Sequence, residues 1–209
     1  MHDDLELALS NSEETMNTTE TTLEIQTLGR FKISVEGKPV ALIWPDETVK
    51  VLFCSLLSPL APYVSWDRIC SSMWGEPMTQ ISRKTLEDIL IQPINRFLIG
   101  NLGFNPLITG QEGIKIDRDR VYVDAVDFYN SAFEGLSLLT DDKYTAAYDK
   151  LDRAVSIHAG IYLPEMPGKI ISTTRMELES LYQSAVKAAM TIKQKPFYLT
   201  EHRGNSLLL

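Results

Sequence analysis

Apolar and polar residues alternate from Leu23 to Trp44, and from Val49 onward the apolar positions recur every three or four residues instead. Strands repeat with a period of two and helices with a period near 3.6, so the chain must pass from sheet to helix close to Asp46. Leu23, Ile25, Leu28, Phe31, Ile33, Val35, Val40, Leu42 and Trp44 carry the alternation. Gly29 and the run Glu36-Gly37-Lys38-Pro39 interrupt it and read as turns of an antiparallel meander. Three helices follow. Asp46 can cap the first, whose stripe is Val49, Leu52, Phe53, Leu56 and Leu57, and Pro59 and Pro62 end it. Ser65 opens the second, with Trp66, Ile69, Cys70 and Trp74 on one face, and Gly75 closes it. The third begins near Ser82, carries Leu86, Ile89, Leu90, Ile94, Phe97 and Leu98 as its stripe, and ends between Gly100 and Gly103. Pro93 should kink or break it, and the same wheel puts Ile91 on its exposed side. Leu107-Ile108-Thr109 and Ile114-Lys115-Ile116 then form a hairpin about Gly110-Gln111-Glu112-Gly113, and Val121-Tyr122-Val123 adds a last extended piece.

Strands, three helices and a hairpin, in that order, define an α+β winged helix-turn-helix with an N-terminal antiparallel sheet. One helix of such a unit can enter a major groove about 12 Å wide while the hairpin touches the backbone beside it. From residue 124 the pattern is helical, at about 124–136, 141–160 and 170–194, with Pro164 and Pro167 between the last two. The division is therefore a disordered acidic arm at 1–22, a winged-helix domain at 23–123, a helical module at 124–195 and a tail at 196–209.

Charge permits nucleic-acid binding without arguing for it. The net charge is −8, and Asp3, Asp4, Glu6, Glu13, Glu14 and Glu20 of the arm account for most of it. Residues 23–123 hold eleven Lys and Arg against eleven Asp and Glu. The arm reads as a plain tail, with autoinhibitory cover of a basic face as the alternative. No apolar run reaches the roughly 18 residues a membrane span needs, and the acidic N-terminus is no signal peptide, so a cytoplasmic protein is expected. Cys54 and Cys70, the only cysteines, sit in apolar segments and read as buried free thiols. No His, Cys and carboxylate cluster, phosphate-binding loop, GxGxxG or Ser-His-acid set is present, so no cofactor, metal or enzymatic activity is expected.

Four segments carry a resemblance. "LEIQTLGRFKISVEGKPVALIWP" presents Leu28, Gly29, Phe31, Gly37 and Trp44 in the order of a Leu-Gly-x-Phe strand, a Gly turn and a strand ending near Trp. "VSWDRICSSMWGEP" ends a helix in the corner Trp74-Gly75. "VYVDAVDFYNSAF" holds Val123, Asp124 and Phe128 as Val-Asp-x-x-x-Phe, and "DRAVSIHAGIYLPEMP" runs helix, Gly, Leu-Pro. Together, over about residues 23–168, they resemble bacterial transcriptional activators of the antibiotic-regulatory (SARP) type, in which a winged helix is followed by a bacterial transcriptional activator module. The resemblance implies a short all-α module of tetratricopeptide-like helix pairs and a third helix that reads DNA.

The expected DNA contacts are Arg83 and Lys84 in the first turn of that helix, Gln92 and Arg96 further along it, and Lys115 and Arg118 in the wing. Asn95 beside Arg96 should face solvent or the DNA backbone. Double-stranded DNA is the expected partner, and a second copy or another protein is expected on the helical module. The third helix departs from the family's arginine-rich pattern: Glu87 and Asp88 would repel phosphates, and an exposed Ile91 suits a protein contact. The rival reading is an interaction adaptor with a winged helix that no longer binds DNA. Trp44, Trp66 and Trp74 should be core packing.

Overall fold

The computed structural model of the chain describes residues 23–76 and 78–194. The acidic arm and the C-terminal tail lie outside them. β1 (Leu23–Gln26), β2 (Lys32–Val35) and β3 (Lys38–Val40) form the antiparallel meander. Its second turn has Glu36 at φ 51° and Gly37 at φ 75°, the left-handed pair that a two-residue hairpin requires. α1 (Glu47–Leu56) starts where Asp46 Oδ1 accepts from the Val49 N–H at 2.9 Å. β4 (Val64–Ser65) leads into α2 (Trp66–Trp74), capped by Ser65 and closed by Gly75 at φ 75°. Trp44 joins these layers, its ring 5.3 Å from Phe53 and 5.1 Å from Phe97. Trp66 is buried, whereas Trp74, expected in the core, is 44% exposed at the end of its helix.

The third helix differs most from its sequence pattern. It starts at a capping box between Thr79 and Ser82 and runs without a break through α3 (Gln80–Leu86), a π-helical turn at Glu87–Ile91 and α4 (Gln92–Leu102), stopping at Gly103. Pro93 has no N–H, and its ring crowds the carbonyl four residues back. The helix accommodates it by widening: Gln92 N–H reaches back to Glu87 O instead of breaking the chain. The two isoleucines whose exposure departs from the expected stripe both lie inside this turn, where the pitch is no longer 3.6 residues. Ile91, expected outside, is buried, and Ile89, expected in the stripe, is 62% exposed.

β5 (Leu107–Thr109) and β6 (Gly113–Ile116) form the wing hairpin, and β4 joins it in a sheet of order β4-β6-β5. β4 is two residues long, too short to show a period. β7 (Val121–Val123) leaves the wing and pairs in parallel with β1, completing a sheet of order β3-β2-β1-β7. A parallel partner needs a long crossover, which here is the whole helical core and wing.

α5 (Asp124–Thr140), α6 (Tyr144–Ile157) and α7 (Lys169–Lys193) follow. α5 and α6 approach so closely that a Cβ on Gly135 would lie 2.7 Å from Leu151 Cγ. One buried cluster extends from Leu23 and Ile25 through α1 into Phe128, Leu151 and Leu178. The seam is also hydrogen-bonded. Asp124 accepts from Thr27 N at 2.7 Å, Thr27 Oγ1 at 2.6 Å, Leu28 N at 3.0 Å and Ala125 N at 2.7 Å. Burial pushes its carboxyl up, and these donors pull against that. The loop after α6 adds a bridge from Tyr162 to Leu28, and Gly29 N–H donates to Ile161 O at 2.9 Å. Arg175 of α7 ties that loop by donating to the carbonyls of Tyr162, Leu163 and Met166. Across the module, Ser58 and Thr174 hydroxyls meet at 2.8 Å.

Candidate nucleic-acid interface

The third helix and the wing are fastened to each other through Trp66. Its indole Nε1 donates to Gly110 O at 3.0 Å and its backbone N–H to Glu112 O at 3.2 Å. The Arg83 guanidinium lies over its ring at 4.8 Å, donates to Glu87 Oε1 at 3.0 Å, and reaches Gln111 O at 3.4 Å. Arg83 therefore braces the helix against the wing tip. Glu87, read as a carboxylate facing phosphates, is the partner that neutralises it; the i,i+4 spacing was the available signal. Trp66 carries no sequence mark of this role beyond its place on a helical stripe.

The glycines of the wing turn have different physical grounds. A Cβ on Gly113 would lie 2.1 Å from Val64 O, so only glycine lets β4 cross there. Gly110 has no such neighbour; its nearest contact would be 3.8 Å away.

Lys84, Asp88, Gln92 and Arg96 are all exposed and succeed each other along the outer side of the third helix. Gln92 Nε2 donates to Asp88 Oδ1 at 3.2 Å, and Lys84 and Arg96 have no ion pair among the described residues. Asn95, expected to face solvent or the DNA backbone, is half-buried, and its Oδ1 is enclosed with no hydrogen-bond partner. Lys115 stands out from β6 between buried Ile114 and Ile116, beside Tyr63 and Ile108 around a shallow hollow of about 210 Å³. Arg118 lies elsewhere, exposed in the connection from β6 to β7. The structure thus groups Lys84, Gln92 and Arg96 on one helix face and Lys115 on the hairpin, commits Arg83 to the brace, and sets Arg118 apart. Among the described residues no cluster of three His, Cys, Asp or Glu could hold a metal ion, and no helix is long and apolar enough to cross a membrane.

This order of sheet, helix-turn-helix, wing and helices decides the comparison. The chain resembles Mycobacterium tuberculosis EmbR. The structure of that protein in complex with a low-affinity phosphopeptide matches with a TM-score of 0.51 at 16% sequence identity, over 83% of this chain and 44% of that one. The chain thus spans less than half the length of EmbR. At that identity the likeness is one of fold, a winged helix joined to a helical module. No protein-family model matches the chain, and no curated protein matches it in sequence.

Proposed function

We propose that this protein is a DNA-binding transcriptional regulator whose winged helix docks on duplex DNA. The observation that carries the reading is the fastening of a 23-residue helical run, Gln80 to Leu102, to the wing turn, with Lys84, Gln92 and Arg96 exposed on its outer side. A helix held rigidly beside a hairpin is what simultaneous groove and backbone contact needs. The likeness in fold to EmbR, taken with the resemblance to activators of the SARP type, supports the same reading. Lys84, Arg96 and Lys115 supply phosphate contacts, and Gln92 is placed to read a base edge. The winged helix spans 23–123 and the helical module 124–195; the module takes a second copy or another protein, and the role is non-catalytic and cytoplasmic.

Mobility shift on fragmented genomic DNA, at low salt and at about 0.2 M, tests this. A Lys84→Ala/Arg96→Ala/Lys115→Ala variant should lose binding and flatten the salt dependence by close to one unit of logarithmic slope per contact removed. Its thermal unfolding should not move, since all three side chains are exposed. No shift by the intact protein at low salt would sink the reading.

A second reading rests on Ile89. An isoleucine 62% exposed on the same face as Asp88 fits a protein contact better than a phosphate, as in an adaptor that no longer binds DNA. Ile89→Asp separates the two: it should weaken capture of a protein partner under the adaptor reading and leave a protein–DNA complex no weaker than Lys84→Asp does.

A further inference from the structure

Lys84, Asp88, Gln92 and Arg96 are exposed on successive turns of the third helix. The span from Lys84 to Arg96 is about 18 Å, at roughly 1.5 Å per residue. A major groove is about 12 Å wide. On a duplex the two cations can therefore reach phosphates on both walls, and the pair between them would lie over the floor, where the base edges are. A carboxylate there meets bases and not phosphates.

The expected partner of Asp88 is Lys84, four residues before it. Among the described residues no ion pair joins Asp88 to Lys84 or to Arg96. Its partner is instead Gln92, whose Nε2 donates to Asp88 Oδ1 at 3.2 Å. An ionised carboxylate only accepts, so the amide must turn its nitrogen toward Asp88 and its oxygen away. A glutamine without such a neighbour can present either end to a partner. Gln92 cannot, and it has one N–H and Oε1 left to offer.

That remainder fits one base. In the major groove adenine shows an acceptor, N7, beside a donor, the N6 amino group, whereas guanine shows two acceptors, N7 and O6. One donor beside one acceptor matches adenine at both positions. Against guanine, Oε1 would face O6 with no proton between them.

We propose that Asp88 is a positioning residue that makes Gln92 a reader of adenine. The Gln92 amide donates to N7 and accepts from the N6 amino group, while Asp88 keeps the second N–H. The inference rests on the nucleic-acid reading above and adds which base is read and what an acidic residue does on that helix. The negative charge lowers affinity for every duplex and raises selectivity at one base pair.

The test selects sites from a random duplex library with the unmutated protein, then compares affinities for single replacements at one fixed salt concentration. One position should prefer A·T over G·C by about tenfold, the size of one two-pronged base contact. Gln92→Ala should lose the preference there and keep it elsewhere. Replacing that adenine with 7-deazaadenine, which lacks the N7 acceptor, should weaken the unmutated protein at least about threefold and leave Gln92→Ala unmoved. Asp88→Ala decides the role of the carboxylate. It should bind every duplex more tightly, because a charge that repels phosphates is gone, and its ratio of A·T to G·C affinity should fall at least about threefold. Thermal unfolding should not move in either variant, since both side chains are exposed. A carboxylate that merely repels would tighten all duplexes equally, so an unchanged ratio in Asp88→Ala would overturn the proposal and leave DNA binding standing. So would 7-deazaadenine bound as well as adenine, or a Gln92-dependent position that selects any pair other than A·T. No binding of any duplex by the unmutated protein would remove the nucleic-acid reading and this inference with it.

Discussion

Asp124 and Asp88 are both carboxylates on helices, and they live under opposite conditions. Asp124, at the seam between the sheet and the C-terminal helices, is buried and accepts from Thr27, Leu28 and Ala125. Asp88, on the third helix, is exposed and shares a single hydrogen bond with the amide of Gln92. The contrast extends to whole regions. The seam is a continuous apolar cluster laced by Asp124, Tyr162 and Arg175, whereas the outer side of the third helix presents charges and Ile89 to water. Burial makes a residue's surroundings demand it, and exposure leaves the choice to a partner. The seam therefore reports architecture, and the helix face reports whatever binds there.

This difference can be broken by mutation. Asp124→Ala should have the largest effect. It strands the N–H groups of Thr27 and Leu28 in the core, and each buried unsatisfied donor costs on the order of 1–3 kcal/mol, so a loss of about 4 kcal/mol is expected in denaturant unfolding. A loss below about 1 kcal/mol would mean the seam is no more demanding than the surface. Gly29→Ala comes next. Its residue sits at φ +80°, and an added Cβ would lie 2.8 Å from Ala159 O, which is backbone and cannot rotate away. A cost of about 3 kcal/mol is expected, with helix content by circular dichroism preserved up to the earlier melt. Arg83→Ala falls between the two regions. It removes the contact with Trp66 and the reach to Gln111, and since its side chain is 36% exposed the cost is about 1 kcal/mol. Unchanged stability would return Arg83 to the free helix face.

The smallest effect concerns His158, just past the end of α6. Its ring stacks on Tyr182 at 3.9 Å and lies 5.1 Å from Phe128. Burial pushes its pKa below the usual value of 6.5, against a weaker upward pull from Glu179, the backbone and Asp124. With the folded value lowered, the unfolded chain takes up the proton first as pH falls below about 6.5. The stability tied to neutral His158 is therefore complete above that pH and declines toward pH 5. His158→Gln should flatten the dependence of melting temperature on pH between 7 and 5, and an unchanged slope would assign that dependence to other groups.

Much of the seam is legible in the sequence, although its meaning is not. Leu28, Gly29, Asp124 and Phe128 carry the resemblance to the SARP type, and all four lie where the sheet meets the C-terminal helices. They mark how the winged helix is joined to the helical module, and none of them faces the candidate DNA surface. That surface is read less well. The sequence pattern puts Arg83 among the DNA contacts, where the fold gives it Trp66, Glu87 and Gln111. It sets Arg118 in the wing beside Lys115, where the fold puts it in the connection to β7.

By itself the sequence determined the element types and their order, because a period of two and a period of 3.6 are local properties written residue by residue. It also determined the caps at Asp46, Ser65 and Gly75, which act within a turn of their own helix. The tertiary structure decided whatever depended on distant groups or accumulated rotation. β7 could be assigned to β1 only once the intervening crossover had folded, and β4 gained its two-residue pairing from the wing. The exchange of Ile89 for Ile91 falls inside the widened turn beside Pro93. A helical wheel drawn from the sequence has no partner surface on it, and the packing of the folded helix settled which isoleucine meets the core and which meets solvent.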